Sequence, residues 1–347
     1  MTRKRATSYD VAKLAGVSQS AVSRVFSPNG SASKKTRDKV LAAARALGFV
    51  PNPIAKSLSL GRSRLAGLVV TQYAQQNYPL ALQSAVDMMS ETGDALLIQI
   101  VEPTDMGDAA IRQLVERRVD MILCAASISR EAAVHCTDAG IPLVMINRQS
   151  ECAGVDAVCS PNDTIMYDVV DMLNASGARQ CLFLGGGGNN WVSAERCRGF
   201  VEACKAKGLP DPIVLEGAFT YAGGQSAIRA LGASVAQLDA IVAANDAMAI
   251  GAMDALRLEF GLKIPEDIQV VGHDDTEAGR FLSYQLTSVR QNMLGIFAKA
   301  IELAVSRRNE YRRPDAEITV KSELVERTTT ARPTLSARNR RAPGTEE

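Results

Sequence analysis

The sequence predicts an α/β protein in which a small helical module precedes two doubly wound parallel sheets. Three observations support this prediction. A helical pattern rich in Lys and Arg fills the first 50 residues, short unbroken apolar runs alternate with helical patterns from 65 to 330, and no run of 18 apolar residues occurs. Unbroken apolar strands are typical of parallel sheets that helices cover on both faces. A chain of 347 residues with 46% hydrophobic content has room for more than one domain.

The first module begins with two short helices joined by a tight turn. Their apolar faces are formed by Val11, Leu14, Ala15, Val22 and Val25. Gly16 permits the positive φ that ends the first helix, and Ser18 is a suitable N-cap for the second. Thr7 with Asp10 matches a capping box. The pattern predicts a helix-turn-helix, whose second helix can lie in the major groove of DNA.

The polar face of the second helix has the chemistry of base readout. Arg24 can donate two hydrogen bonds to guanine O6 and N7, and Gln19 and Ser20 are polar neighbours near the start of the same helix. We therefore expect Arg24, Gln19 and Ser20 to contact bases. Helix pairs joined by glycine also occur in ordinary helical domains, so the motif needs further support.

Charge supplies that support. The first 62 residues hold twelve Lys or Arg and two acids, Asp10 and Asp38, whereas the remaining chain holds 27 basic and 36 acidic residues. A formal net charge of +1 therefore conceals a basic head and an acidic body. The head has the sign expected of a partner for DNA phosphates.

Two further helices are predicted before residue 62. The third helix begins after Ser33 and ends at Gly48, with an apolar stripe formed by Val40, Leu41, Ala44 and Leu47. A fourth, of about two turns, has Asn52 as N-cap, Pro53 at its first position and Gly61 after its end. So short a helix is marginal alone in water and needs a partner to become ordered.

Residues 65 to 330 show the alternation of strands and helices that defines doubly wound sheets. The strand-like runs are Leu68–Val70, Leu96–Val101, Met121–Cys124, Leu143–Ile146, Cys181–Leu184, Ile241–Val242 and Val270–Val271. The helical patterns cover residues 79–93, 107–118, 129–139, 162–176, 192–208, 245–260 and 292–306. This number of units predicts two sheets of about 130 residues each rather than one.

Polar residues follow several of these runs, at the edge where open parallel sheets bind ligands. Asn147 and Arg148 follow one strand, Asn245 and Asp246 another, and residues 273–275 a third. We expect these groups to line a common binding cleft.

Several motifs together resemble the lac repressor/purine repressor family of bacterial transcription regulators. They are the helix-turn-helix, Ser33-x-x-Thr36-Arg37, Pro51-Asn-Pro-Ile-Ala-Lys-Ser-Leu58, and the segments 244–251, 264–268, 271–275 and 286–291. The resemblance spans residues 7 to about 330. It implies two lobes similar to periplasmic sugar-binding proteins, with the chain crossing between them near 160, 290 and 320. It also implies a DNA-binding domain at 1–50, a hinge helix or linker at 51–62 and an effector and dimerisation domain at 63–330. The tail at 331–347 is polar and lacks apolar periodicity, so we expect it to be disordered.

The resemblance also assigns roles to individual residues. The effector contacts it implies are Tyr73, Arg148, Arg196, Phe219, Asn245 and Asp274. The DNA phosphate contacts it implies are Tyr9, Ser18, Ser23, Ser33, Thr36 and Asn52. It also implies that, in the minor groove, Leu58 wedges into the central base step and Ala55 allows close approach. Each residue has an ordinary alternative: Asn245 as a helix cap, Asp274 as a turn residue, the arginines in surface ion pairs, Phe219 and Leu58 in a core.

The expected function is a cytoplasmic, nucleoid-associated repressor that binds pseudo-palindromic operator DNA as a homodimer or higher oligomer. A sugar or sugar acid bound between the lobes would control it. Two other classes stay open: an enzyme using Asp274 and Asp275, and a sugar-transport protein, which the basic head and the lack of a signal peptide disfavour.

No cofactor, metal or membrane partner is expected. There are two histidines, the seven cysteines form no Cys-x-x-Cys pair, and Gly185–Gly188 lacks the spacing of a nucleotide-binding loop. The cysteines are expected to be reduced and mostly buried.

Overall fold

The computed structural model describes residues 6–26, 31–50, 62–102, 105–149, 152–187 and 190–331. The chain divides into two compact units, Met1–Arg64 and Leu65–Glu347. The predicted hinge helix, with Asn52, Ala55 and Leu58, and the tail after residue 331 lie outside the described residues.

The first unit contains three helices: α1 (Ser8–Ala15), α2 (Gln19–Phe26) and α3 (Lys34–Leu47). Thr7 and Asp10 form the predicted capping box, and Gly16 ends α1 with a φ of 65°. Ser33 caps α3 by accepting a hydrogen bond from the amide of Thr36. A small core, centred on Val11, Val22, Val25, Val40 and Ala44, holds the three helices together.

Two predicted core residues of this unit are exposed. Leu14 is 56% exposed and Leu47 is 38% exposed. In α1 the buried face is formed by Val11, Ala12 and Ala15, and at 100° per residue Leu14 lies about 100° from its centre. Leu47 is on the buried face of α3 but in its last turn, because a helix of 14 residues extends past two helices of eight.

The second unit is built from twelve strands and ten α-helices in the described part of the chain. The strands are β1 (Leu65–Thr71), β2 (Ala95–Val101), β3 (Met121–Cys124), β4 (Leu143–Ile146), β5 (Val155–Cys159), β6 (Cys181–Gly185), β7 (Ile213–Glu216), β8 (Ala240–Ala243), β9 (Gln269–His273), β10 (Thr287–Arg290), β11 (Glu317–Thr319) and β12 (Glu323–Val325). The helices are α4 (Gln72–Asn77), α5 (Pro79–Glu91), α6 (Asp108–Glu116), α7 (Arg130–Asp138), α8 (Ile165–Ser176), α9 (Trp191–Ala206), α10 (Tyr221–Leu231), α11 (Asp246–Leu258), α12 (Glu277–Arg280) and α13 (Met293–Asn309).

The strands form two six-stranded sheets, which confirms the predicted doubly wound architecture. The first has the order β11-β5-β4-β3-β1-β2 and the second β12-β10-β9-β8-β6-β7. All neighbours are parallel except β10 and β12. We call the part built on the first sheet lobe 1 and the part built on the second lobe 2. The chain passes between the lobes after β5, after β10 and after β11.

Helices cover both faces of the lobe 1 sheet. One core layer joins α5 and α13 to the sheet, and a second layer joins α6 and α7 to its other face. A larger cluster fills lobe 2, with Phe183 and Phe200 packed at a ring-centroid distance of 5.7 Å. These cores fix the strand ends from which the binding groups emerge.

Five strands and three helices were not among the predicted elements, namely β5, β7, β10, β11, β12, α4, α10 and α12. In β5 the apolar run is interrupted by Asp156, which is fully buried because Arg307 and Arg313 pair with it. In β10, Thr287 and Ser288 are buried with their hydroxyls hydrogen-bonded. Buried polar residues with internal partners remove the apolar signal that a sequence search relies on.

Within the described ranges, no helix has the length and apolar character needed to cross a membrane. No disulfide bond occurs in the described part of the chain, and five of the seven cysteines are buried.

Candidate functional site

A cleft lies between the lobes, at the carboxyl ends of the parallel strands. Its empty volume, with the open mouth included, is about 620 Å³. Five of the six predicted effector residues line it: Tyr73, Arg148, Arg196, Phe219 and Asp274. The structure brings these side chains together, while their contact with a ligand stays a prediction.

Asp274 is the point at which the two lobes meet. It follows β9 with a φ of 111°, in the left-handed region that non-glycine residues rarely adopt. Its Oδ2 accepts a hydrogen bond from the Tyr73 hydroxyl of lobe 1, and its Oδ1 accepts one from Gln291 Nε2 at 2.5 Å. Burial raises the pKa of Asp274, and Arg196 and the hydrogen bonds only partly offset that effect.

Three aromatic rings form the apolar part of the cleft. Tyr73 lies 6.4 Å from Tyr78 and 6.3 Å from Phe219 between ring centroids. Burial and the nearby Asp274 raise the pKa of both tyrosines well above 10, so their hydroxyls remain protonated donors at neutral pH. Apolar ring faces beside hydroxyl and carboxylate groups suit a ligand with a polar rim and an apolar face.

Arg196, from α9, is held almost entirely by the protein. Its Nε donates to Asn162 Oδ1 at 2.9 Å and its Nη1 to the Ala244 carbonyl at 2.5 Å, and Asp274 lies 3.7 Å from Nη1. The side chain is therefore fixed in position and its charge is partly balanced.

Arg148, in lobe 1, is held much less completely. Its Nη1 donates to Ser127 Oγ at 2.6 Å. Its Nε is buried and has no hydrogen-bond acceptor among the described residues. Burial lowers the pKa of this guanidinium. A buried cation with unused donors is costly unless something else satisfies it.

Gln291 joins the lobes at the second crossing, and the sequence did not single it out as a site residue. Its Oε1 accepts from Asn147 Nδ2 at 2.7 Å and from Ser160 Oγ at 2.9 Å. Its Nε2 donates to Asp274 and, at 3.1 Å, to the Tyr78 hydroxyl. One amide thus connects the carboxylate of lobe 2 to three groups of lobe 1 and the first crossing. Its position directly after a strand was the available signal.

Asn245 does not line the cleft. Its Oδ1 caps α11 by accepting from the amide of Met248 at 2.9 Å, and its Nδ2 donates to the carbonyl of Phe219 at 3.0 Å. Phe219 has a φ of 57°, and a Cβ added at Gly186 would overlap its ring. Asn245 and Gly186 therefore hold Phe219 in the cleft wall, and Phe219 packs on the lobe 2 core as well.

Asp246, which was expected to line the cleft, is not among its lining residues and instead supports the turn that carries Asp274. Its Oδ2 accepts from the Thr276 amide at 2.6 Å, and its Oδ1 accepts from Ser288 Oγ at 2.6 Å. Gly272 leaves room for this carboxylate, because a Cβ there would overlap Oδ1. Burial and the nearby Asp274 raise the pKa of Asp246 to about 7.

Asp275 points away from the cleft. Its carboxylate pairs with Arg280, Arg290 and Arg327 at N–O distances of 3.0, 2.6 and 2.5 Å. Burial alone would raise the pKa of Asp275, but these arginines hold it below the ordinary value. Asp274 and Asp275, the pair considered for catalysis, therefore occupy different environments.

Among the described residues of the first unit, the predicted DNA-contacting residues are exposed except Thr36, which is half-buried. Gln19, Ser20, Ser23 and Arg24 are exposed on α2, whereas Val22 and Val25 are buried beneath them. Tyr9 is also exposed, and Ser18 and Ser33 are exposed while their hydroxyls cap helices. The face that α2 offers to solvent is thus polar and carries Arg24. Contact of these residues with DNA stays a prediction.

A helix-turn-helix unit and a two-lobed cleft define a class of ligand-binding regulatory proteins. The model for the bacterial regulatory proteins of the lacI family matches residues 7–52, and the model for the periplasmic binding protein-like domain matches residues 170–330. The HTH-type transcriptional regulator AscG of Escherichia coli (strain K12) is 34% identical over 292 residues, covering 82% of this chain and 86% of that protein. The chain belongs to the lacI family of bacterial regulatory proteins.

Solved structures agree over nearly the whole chain. The Lac repressor dimer bound to operator and the anti-inducer ONPF is 26% identical with a TM-score of 0.82, covering 94% of this chain and 99% of that one. The complex of the transcriptional regulator CelR with cellobiose is 27% identical with a TM-score of 0.68, covering 94% and 100%. The family and fold predicted from sequence motifs are confirmed.

Proposed function

We propose that this protein is a sequence-specific DNA-binding repressor whose operator affinity is set by a small molecule bound in the cleft, and that it has no catalytic activity. The observation that carries the proposal is the meeting of both lobes on Asp274, through Tyr73 and Gln291, in a chain that also has a helix-turn-helix. A ligand that competes for Asp274 changes contacts between the lobes. It therefore has the differential affinity that a conformational switch requires.

The helix-turn-helix unit and the hinge helices are proposed to bind the major and minor grooves of the operator, respectively. Arg24, with Gln19 and Ser20, reads bases in the major groove, and the exposure of all three supports this. The phosphate contacts are Tyr9, Ser18, Ser23, Ser33, Thr36 and Asn52. Two hinge helices pair in the minor groove between the half-sites, where Leu58 opens the central base step and Ala55 permits close approach.

Such an operator complex needs two copies of the chain, and two exposed apolar patches suit that role. In lobe 2, Leu258 is 82% and Leu282 is 93% exposed, and the neighbouring Tyr221 and Tyr284 share Asp254 as hydrogen-bond acceptor. In lobe 1, Leu80 on α5 is exposed, as are Ile98 and Ile100 on the edge strand β2. Patches of this kind mark interaction sites. We propose that they form a homodimer interface, with a higher oligomer as the alternative.

The effector is proposed to be a sugar or sugar acid. The Asp274 carboxylate accepts from hydroxyls, the arginines donate, and the tyrosine and phenylalanine rings supply apolar faces. The CelR structure contains cellobiose, which is consistent with a sugar in the same fold. By selecting one lobe orientation, the effector sets the spacing between the two hinge segments of a dimer and so determines whether they pair on DNA.

Selection of binding sites from a random duplex library, followed by gel shifts, tests the proposal. A pseudo-palindromic site should be enriched, and Arg24→Ala should lose about 1–3 kcal/mol of affinity for it and relax the preference at one base pair per half-site. Arg45→Ala, which removes the same charge from an exposed position on α3, serves as the control. Equal losses on selected and random DNA would exclude base readout by Arg24. No enriched site at all would overturn the proposed function.

A further inference from the structure

The guanidinium of Arg148 is the least satisfied charged group of the cleft. The residue is 6% exposed, and no carboxylate in the described part of the chain forms an ion pair with it. Its one hydrogen bond within the same ranges runs from Nη1 to Ser127 Oγ. A buried cation usually has a paired acid, because removing charge from water is costly. The missing partner is therefore to be sought in the ligand.

The free side of Arg148 has the geometry for an oxyanion. With Nη1 directed to Ser127, the remaining edge of the guanidinium is formed by Nε and Nη2. Nε is buried and has no acceptor among the described residues, and Arg148 is one of the residues that line the cleft. The N–H groups of Nε and Nη2 are parallel, and such a pair is the arrangement that binds carboxylate and phosphate oxygens.

The rest of the cleft does not neutralise this charge. Asp274 is the one carboxylate among the described lining residues, and it already accepts from Tyr73 and Gln291 and lies near Arg196. The helices α9 and α13, of 16 and 17 residues, both begin at the cleft. Their amino-terminal ends add positive potential. The cleft is therefore set up for a ligand with a negative charge.

We propose that the effector carries an anionic group, a carboxylate or a phosphate, which binds Arg148 of lobe 1 while its hydroxyls face Asp274 of lobe 2. This inference rests on the proposed function, because it names the class of ligand for the same cleft. It separates the two arginines: Arg196 is a fixed donor already balanced within the protein, and Arg148 provides the charge recognition. A neutral sugar leaves the Nε/Nη2 edge of Arg148 without a charged partner.

The position of the chain's single tryptophan permits a direct test. Trp191 lies between Asn190 and Val192, which both line the cleft, so its fluorescence reports on events there. The full-length protein is titrated with inorganic phosphate and with acetate at constant ionic strength, and then with glucose 6-phosphate, glucuronate and glucose. We expect a saturable response to at least one of the two simple anions. We also expect the charged sugar of the same type to bind at least ten-fold more tightly than glucose.

Arg148→Gln should abolish the response to anions, and Arg112→Gln, the same change at an exposed position on α6, should retain it. Comparing the phosphate and acetate arms identifies which oxyanion the site prefers. No response to either anion in the wild type, or an unchanged response in Arg148→Gln, would overturn the inference.

Stability of the ligand-free protein gives a second, independent readout. Because Arg148 is a buried and unbalanced charge, Arg148→Met should raise the Tm of the ligand-free protein by a few degrees, and Arg112→Met should leave it unchanged. A lower Tm in Arg148→Met would mean that the residue is structural and would contradict the inference. Gel shifts on the same proteins distinguish failure of the anion proposal from failure of the proposed function. If the wild type binds no DNA site specifically, only the proposed repressor function is overturned.

Discussion

The two walls of the cleft differ in how far the protein satisfies its own polar groups. In lobe 2, Asp246, Asp274 and Asn245 each make at least two hydrogen bonds within the protein. In lobe 1, Arg148 makes one, and its Nε has none among the described residues. Asp274 of the lobe 2 wall is therefore held in a fixed orientation by the protein itself. We propose that a ligand supplies the acceptor that Arg148 of the lobe 1 wall lacks, so that binding there gains the most from donors the protein leaves unused.

Removing the Asp274 carboxylate of lobe 2 should cause the largest loss of effector affinity. Asp274→Ala should weaken effector binding by about 100-fold, since hydrogen bonds to a charged group contribute about 1.5–3 kcal/mol each. Specific binding to the selected site should be retained, because the residues proposed to contact bases lie in the first unit and Asp274 lies in the second. The checks are calorimetric titration of the effector and gel shifts on the selected site.

Asp211→Ala, at an exposed position in lobe 2, is the matched control for this change. Coupling also requires operator DNA to alter the effector affinity of the wild type by the same factor by which the effector alters operator affinity. Equal effector affinities with and without operator would show that the cleft and the DNA-binding unit are not coupled. The contacts that a ligand makes with the two walls of the cleft would then not regulate DNA binding.

The pH dependence of protein stability should test the role of Asp246, which supports the turn that carries Asp274. The pKa of Asp246 is raised from 3.8 to about 7 in the folded protein, so the folded state keeps a proton that the unfolded chain releases. The stability contributed by this group is complete below pH 4 and is lost as pH rises through about 7. Asp246→Asn, which stays neutral and retains an acceptor for the Thr276 amide, should remove this loss.

Tm measurements at pH 5.5 and pH 8 compare the two proteins, with Asp211→Asn as the control. The wild type and the control should lose more stability between these pH values than Asp246→Asn does. An identical loss in all three would mean that Asp246 is ionised in the folded protein without cost, and that the lobe 2 scaffold is less buried than described.

The smallest effect is expected for Ser127→Ala in lobe 1, measured as a loss of affinity for phosphate or acetate. Ser127→Ala removes the one hydrogen bond that orients Arg148, so phosphate or acetate should bind about 2- to 10-fold more weakly, corresponding to roughly 0.5–1.5 kcal/mol. Ser226→Ala, at an exposed position on α10, should have no effect. The Trp191 titration measures both. A loss as large as that in Arg148→Gln would place the main anion contact on Ser127 instead.

The central strands and the groups that follow them were predictable because their signals are local. β3 and β4 have the predicted bounds, and Asn147, Arg148 and Asp274 emerge at their predicted strand ends. Apolar runs specify buried parallel strands, and the topology of such sheets then brings their carboxyl ends together. No contact between distant residues was needed for these inferences.

The remaining features depend on partners far along the chain. Gln291 bonds to Ser160 and Asn147, which are 131 and 144 residues away, and nothing next to Gln291 in sequence identifies them. Asn245 shows a different limit, since helix capping and ligand binding require the same side chain at the same place. Only its second bond, to the Phe219 carbonyl, indicates that both ends of its amide already have a partner within the protein.

The separation of charge along the chain affects how the protein encounters a polyanion. The first 62 residues, with ten more bases than acids, are attracted to DNA, and the rest of the chain, with nine more acids than bases, is repelled. Opposite forces on linked parts orient a molecule during diffusion, and the bias fades over a Debye length of about 8 Å at physiological salt. The acidic part, which contains the cleft, therefore contributes no electrostatic affinity for the phosphates, and the attraction to DNA comes from the first 62 residues.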